Sequence, residues 1–452
     1  LRHELAHVAC LALPVLEPIA MSSRVWLMLY SLVMRALQPL VVHKLGRRSR
    51  DEPLYGQHIP ERWGHYATPG GQGFVWVHAV SLGETRVAAL LLPHLRAKWP
   101  GMRLLLTHGT ATGREAGRAL LQPGDVQVWQ PWDTPSAVQR FLHHFQPRVG
   151  LLMETEVWPN WVQACRARGV PLLLLNARLS EKSYQQAQRL RVLSHTAYAG
   201  LTEVWAQTED DARRLRALGA NVTAVLGNLK FDVPLDDRLQ AAGWQARARL
   251  SRPVVVLASS REGEEQALLQ ALQRTPRALE QAHWLIVPRH PQRFDEVADL
   301  VQAAGFALLR RSPCDSLEQA ADRWTSADER TLMLGDSLGE MGAYASMAQA
   351  TLMGGSFEPL GGQNLIEPLA YGSPVVVGPH TFNFEQATRE ALRAGVATRV
   401  STMAEGVLAA LSWTQQPSQE TASSQHCRDF VQQHAGAVAS SLARLSPWMP
   451  KG

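Results

Sequence analysis

From Phe74 onward, short apolar runs alternate with stretches of helical spacing. The runs GFVWVHAV, MRLLLTHG, DVQVWQP, RVGLLMET, VPLLLLNA, EVWAQT and VTAVLGN predict strands. Thr85–Lys98, Ala111–Leu120, Pro135–His144 and Pro159–Arg168, which fall between them, predict helices. Near-continuous apolar strands separated by helices imply a parallel sheet covered on both faces. The alternation stops at FDVPLDDRLQAAGWQARARLSRP, polar and flanked by proline, which reads as a linker. It restarts with PVVVLASS, AHWLIVPR, FALLR, RTLMLGD, QATLMGGS and SPVVVGP, and Ser424–Leu445 reads as a closing helix. The expected organisation is an N-terminal extension and anchor over 1–43, a Rossmann-like domain over 44–232, a linker over 233–252, a second Rossmann-like domain over 253–423 and a C-terminal helix over 424–452.

Upstream, Val25–Val42 is apolar except for Ser31, Arg35 and Gln38, and Lys44, Arg47, Arg48 and Arg50 follow it. Its length predicts an uncleaved membrane anchor, and the basic flank predicts that the remaining chain stays in the cytoplasm. Arg35 and Pro39 leave a second reading open, a helix lying in the membrane interface. Residues 1–20 precede Met21 and read as an upstream extension with no role assigned.

Composition narrows the picture. In 452 residues, 46% are apolar and 19% charged, which supports two to three domains with sizeable cores. The net charge of +5 suits an anionic substrate or membrane surface. Nucleic acid is not an expected partner, because no Lys/Arg run exceeds two residues. Cys10, Cys165, Cys314 and Cys427 are far apart and lack Cys-x-x-Cys spacing, so reduced thiols are expected and structural zinc is not.

In open parallel sheets, ligands sit beyond the carboxyl ends of the strands. In the first half those positions hold Ser81–Gly83–Glu84, Thr107–Thr110, Glu154–Thr155–Glu156, Asn176–Arg178 and Asn228–Lys230. In the second half they hold Ser259–Ser260–Glu262, Arg289–His290, Gly335–Glu340 and Gly354–Gly355–Ser356, followed by GGQNLIEPLAYGSP. Two sets of polar strand ends predict a cleft where two ligands meet. The second set suits a nucleotide. Gly354, Gly355, Gly361 and Gly362 allow close backbone approach to a phosphate, and a helix opening near Asn364 would aim N–H groups at an anion. Glu367 can accept from ribose hydroxyls, and Arg289 supplies a fixed cation. Taken singly, Gly-Gly-Ser is an ordinary turn and Arg289 an ordinary surface charge. In the first half, Glu84 reads as a carboxylate in the first turn of a helix, where the dipole favours its ionised form, with Gly83 permitting a tight turn before it. Glu154 and Glu156 also stand where they could cap the helix beginning near Pro159.

EPLAYGSP resembles the nucleotide-sugar signature of two-domain GT-B glycosyltransferases. More narrowly, VSLGET, METEVWPNW, NARLSEKSY, GNLKFD, ASSREGEE, VPRHPQRF, LGDSLGEM, GGSFEPLGGQNLIEP and GPHTFNF resemble, in order, the motifs of 3-deoxy-D-manno-octulosonic acid (Kdo) transferases, from about Val80 to Phe384. Gln363 departs from that pattern, where the family more often has His, and can still donate a hydrogen bond.

The resemblance implies an α/β GT-B fold, two doubly wound Rossmann-like domains facing across a cleft, with an N-terminal apolar membrane-anchor helix. It implies inverting transfer of Kdo from CMP-Kdo to a lipid A precursor (lipid IVA) at the inner-membrane surface. It places Glu84 as general base and Glu154 and Lys230 at the transition state. It places Arg289, His290, Leu338, Gly339, Glu340, Asn364, Leu365, Ile366 and Glu367 at CMP. Neutralising the leaving phosphate matters more here than protonating it, a task for Lys230 and Arg289. The chain has no Asp-x-Asp, so no metal or other cofactor is expected. Nucleotide-sugar epimerases of the same fold are the alternative; they need no lipid acceptor.

Overall fold

The computed structural model describes residues 23–415 and 417–450, and the side chains of 417–421 lie outside that description. Residues 1–22, with most of the expected extension and Cys10, also lie outside it. The chain forms two compact units. One runs to Asp232 and takes the chain back at Ala435; the other is Val233–His434.

The first unit is built on β1 (Val75–His78), β2 (Leu104–His108), β3 (Val126–Trp129), β4 (Val149–Met153), β5 (Leu172–Ala177), β6 (Glu203–Ala206) and β7 (Val222–Val225). They form one sheet in the order β3-β2-β1-β4-β5-β6-β7, parallel throughout. Alternate residues feed opposite faces, as the strand period requires. Trp76, Leu105, Leu152 and Leu174 enter a core with Phe141, Phe145 and Trp161. Val75, Val77, Leu104, Leu106, Leu151 and Leu173 enter a second core with Leu91, Leu92 and Leu95. Both faces are thereby dry, which explains why the strands read as unbroken apolar runs.

The second unit holds β8 (Val254–Ser260), β9 (His283–Pro288), β10 (Ala307–Arg310), β11 (Thr331–Leu334), β12 (Ala350–Met353), β13 (Val375–Val377) and β14 (Ala397–Arg399). Their order is β10-β11-β9-β8-β12-β13-β14, again parallel. The last strand, Ala-Thr-Arg, is three residues long with two of them polar, and carries no pattern to announce it.

Two boundary expectations change. The polar 233–252 segment contains the helix Asp237–Arg247, started by the Asp236 carboxylate accepting from Arg238 N–H at 2.8 Å. It belongs to the second unit: Gly243 lies so close to the helix Met341–Met347 that a Cβ would stand 2.3 Å from the Ala343 carbonyl oxygen. The C-terminal region is two helices, Pro417–His434 and Ala437–Leu445, broken at Gly436 with φ +104°. The second of them returns to the first unit, burying Ala437, Val438 and Leu445 in its core. Asp232 pins the return by accepting from Gly436 N–H at 2.6 Å and Val438 N–H at 3.0 Å.

The apolar N-terminal segment is a bent pair, Ser23–Ala36 and Gln38–Asp51, turned by 45°. No single described helix is long and apolar enough to cross a membrane: 14 residues rise roughly 21 Å, against a hydrocarbon core of about 30 Å. The first helix is docked through its polar residues. Ser31 donates to Asn160 Oδ1 at 3.0 Å, and Tyr30 hydrogen-bonds Asp133. Met28, Leu32 and Leu40 remain 71%, 63% and 64% exposed.

Candidate functional site

In the first sheet the strand order reverses between β1 and β4, and the loops leaving them diverge, the usual place for a ligand. Glu84 follows β1 and Glu154 follows β4.

The helix Leu82–Lys98 begins with a capping box. Ser81 Oγ accepts from Glu84 N–H at 3.4 Å, and Glu84 Oε2 accepts from Ser81 N–H at 3.0 Å. The carboxylate therefore does cap the helix, as partner to a serine. It is 1% exposed. Gly83 lies inside the helix, so the tight turn expected of it is not its role. It is exposed, and an added Cβ would meet nothing nearer than Ser81 Oγ at 3.8 Å.

Glu154 is buried in a left-handed conformation, φ +59°, which costs a non-glycine residue about 1–3 kcal/mol. Two cations meet its carboxylate: Arg178 Nε at 2.7 Å on Oε2 and Lys230 Nζ at 3.3 Å on Oε1. Lys230 is delivered by the short turn Leu229–Phe231, whose Leu229 N–H donates to Asn176 Oδ1 at 3.0 Å. The ends of β4, β5 and β7 thus converge on one carboxylate, and the turn bearing Lys230 packs against the helix that Glu84 opens. Arg178 was legible only as a strand-end residue, because nothing local shows that it reaches back to Glu154.

The capping role considered for Glu154 belongs to Asp133. Its carboxylate accepts from Asn160 N–H at 3.1 Å and Trp161 N–H at 2.9 Å, at the start of the helix Pro159–Ala167. Burial pushes the Asp133 carboxyl up to about 7, against the pull of those N–H groups and the Tyr30 hydroxyl. Glu156 instead accepts from Trp158 Nε1 at 2.9 Å.

In the second sheet the order reverses between β8 and β12. Arg289 and His290 follow β9, half-buried and exposed respectively, with Arg289 N–H donating to the Ser260 carbonyl at 3.0 Å. Glu367 lies in the five-residue helix Ile366–Ala370. Burial raises its carboxyl, and the nearby positive charge of Arg289 opposes that rise, so the two side chains share one neighbourhood. Asn364 Oδ1 accepts from Ile366 N–H at 3.2 Å, so its amide oxygen caps this turn. Leu365 and Ile366 are core residues, buried in the unit. Leu338 is 76% exposed and Gly339 sits at φ +80° with open space beside it. Glu340 is tied inward: it accepts from Arg311 Nη2 at 2.6 Å, from Tyr344 at 2.8 Å and from Ser337. Gly355, one of the glycines expected to let the backbone approach a phosphate, donates its N–H to Glu264 at 2.7 Å. Among the described residues no group of three or more His, Cys, Asp or Glu could hold a metal ion.

Residues 57–233 match the family model for 3-deoxy-D-manno-octulosonic-acid transferase (kdotransferase). The 3-deoxy-D-manno-octulosonic acid transferase of Bordetella pertussis is 43% identical over 93% of this chain and 99% of its own length. That of Haemophilus influenzae is 32% identical over 80% of this chain and 84% of its own. Acinetobacter baumannii MurG, a GT-B neighbour, aligns with a TM-score of 0.50 at 12% identity, covering 83% of this chain and all of that one, which speaks to the fold alone. With two parallel α/β sheets, the ordered motifs and near-complete coverage by a relative at this identity, the chain belongs to the Kdo transferase family, glycosyltransferases of lipopolysaccharide synthesis.

Proposed function

We propose that this chain transfers Kdo from CMP-Kdo to lipid IVA with inversion, using Glu84 as general base and no metal. Membership of the family implies a CMP-Kdo donor and a lipid A acceptor. The observation that carries the mechanism is the placement of Glu84: a carboxylate on a helix N-terminus, beyond β1, where the sheet order reverses. The dipole and the Ser81 N–H favour the ionised form, which a base requires. Glu84 takes the proton of the attacking acceptor hydroxyl. The new bond forms at the Kdo anomeric carbon as its bond to the CMP phosphate breaks, and the electron pair leaves with CMP. Lys230, paired with Glu154 beside Arg178, acts with Glu154 at the transition state and neutralises charge on the leaving phosphate. Arg289, His290, the Leu338–Gly339–Glu340 loop and Asn364–Glu367 hold CMP, with Arg289 countering the phosphate charge. Leu365, Ile366 and Glu340 contribute through backbone position, their side chains being committed to the core or to Arg311. Release of CMP from CMP-Kdo tests the reading. It should require a lipid A precursor; release without lipid would favour epimerase-type chemistry.

We also propose that the bent N-terminal pair lies on the cytoplasmic face of the inner membrane instead of spanning it. The polar residues Tyr30 and Ser31 face the first unit, while Met28, Leu32 and Leu40 are exposed, and Arg47, Arg48 and Arg50 follow in the second helix of the pair. Replacing Met28 and Leu32 with serine should abolish flotation with anionic vesicles while leaving the docked side intact. Undiminished flotation would count against this surface. Deletion is a poorer test, since it strips Tyr30 from Asp133.

A further inference from the structure

The loops after β8 and β12 meet where the second sheet reverses order, and in such sheets backbone N–H groups commonly meet a ligand anion there. Here they meet a side chain. Glu264, fully buried, accepts from Gly355 N–H at 2.7 Å and Arg261 N–H at 2.8 Å on one oxygen, and from Phe357 N–H at 3.0 Å on the other. The carboxylate bridges both loops. Backbone contact reinforces it: a Cβ on Gly354 would lie 2.3 Å from the Ser259 carbonyl oxygen, and Gly355 has φ +69°. The two glycines also carry the next segment. Gly354 O accepts from Gln363 N–H at 3.0 Å and Gly355 O from Gly362 N–H at 2.7 Å. The chain leading to Asn364 and Glu367 therefore hangs from the loop that Glu264 holds.

We infer that Glu264 is a positioning residue for the donor nucleotide: its carboxylate, in place of a donor phosphate, occupies the Gly355 and Phe357 amides and so sets Asn364 and Glu367. The inference rests on the reading that the second unit binds CMP-Kdo. It leaves the donor phosphate to the Arg289 side chain. Burial raises the Glu264 carboxyl, while the three N–H groups favour its charged form. The adjacent Glu265 is equally buried and differently employed, paired with Arg293 at 2.7 and 3.2 Å and with the Ser260 hydroxyl at 2.7 Å.

The test compares E264Q with E265Q. Glutamine keeps the shape of Glu264 but turns an N–H donor toward at least one of the three N–H groups. In E264Q the Kd for CMP should rise about tenfold by calorimetry, with KM for CMP-Kdo rising in step and kcat within about threefold. E265Q should melt lower yet bind CMP within about twofold of the parent. Hydrogen exchange on the parent protein adds a readout independent of either variant folding: the Gly355 and Phe357 amides should exchange slowly without CMP and gain no protection when it is added. E264Q binding CMP like the parent, or amides that become protected only with CMP, would overturn the inference. A parent protein that does not bind CMP would remove the donor-site reading itself, a result that the exchange data without CMP do not depend on.

Discussion

Both sheets put a carboxylate where their strand order reverses, and they treat it differently. In the first unit Arg178 and Lys230 reach the Glu154 carboxylate, and the Ser81 N–H donates to that of Glu84. In the second unit Glu264 is met by three backbone N–H groups from two loops. Side-chain cations can turn toward a substrate charge without moving the sheet; backbone amides cannot move without moving their loops. The first arrangement suits groups that change partners during a reaction, and the second suits a fixed strut.

The sharpest way to break the comparison is Glu84→Gln. Glutamine serves at this capping-box position, so melting should stay near the parent value. Turnover should fall roughly 10²–10⁴-fold, since the amide cannot take a proton. A variant that melts normally and transfers Kdo at close to the parent rate would assign the acceptor's proton to another group.

Arg289→Ala probes the side-chain charge of the second unit. If Glu264 fills the loop amides, the phosphate depends on Arg289, and CMP should bind about 1.5–3 kcal/mol more weakly in calorimetry without added divalent ion. Unchanged affinity, or parent binding that appears only with magnesium, would contradict this.

Asp133→Asn gives the smallest effect and sharpens the comparison with a carboxylate in the first unit that is also held by backbone N–H groups. Its carboxyl, raised from 3.8 to about 7, keeps a proton in the folded chain over a range where the unfolded chain has lost it. Its contribution to stability is therefore full below the unfolded value and is lost as pH rises through about 7. His108, lowered to about 4 by burial, acts with the opposite sign, gaining stability as pH rises toward 6.5. Subtracting variant from parent isolates Asp133. The parent's Tm advantage over Asp133→Asn should shrink steadily between pH 5 and pH 7 and level off by pH 8. A constant gap would mean that Asp133 titrates as an ordinary carboxyl.

The strands were largely legible because a parallel strand buried on both faces must be apolar at nearly every position, and interior strands such as β4 (Val-Gly-Leu-Leu-Met) and β13 (Val-Val-Val) show that run. The polar residues just beyond them were legible as candidates for the same reason: the apolar run ends where the sheet ends. Their partners were not. Arg178 lies 24 residues from Glu154, and Asp133 lies 27 residues from the helix residue Asn160 that it holds. Glu264 looked like one more acid in Ser-Arg-Glu-Gly-Glu-Glu, and its bond to Gly355 spans 91 residues.

The sequence by itself determined the fold class, the family motifs and the set of polar strand ends, because each is written in local periodicity or contiguous residues. Tertiary structure alone decided the strand order, the return of Ala437–Leu445 to the first unit, and which buried carboxylate answers which N–H or cation. A buried polar group must find a partner or lose about 1–3 kcal/mol. That partner is supplied by whatever the packed sheets bring near, at sequence distances no local pattern records.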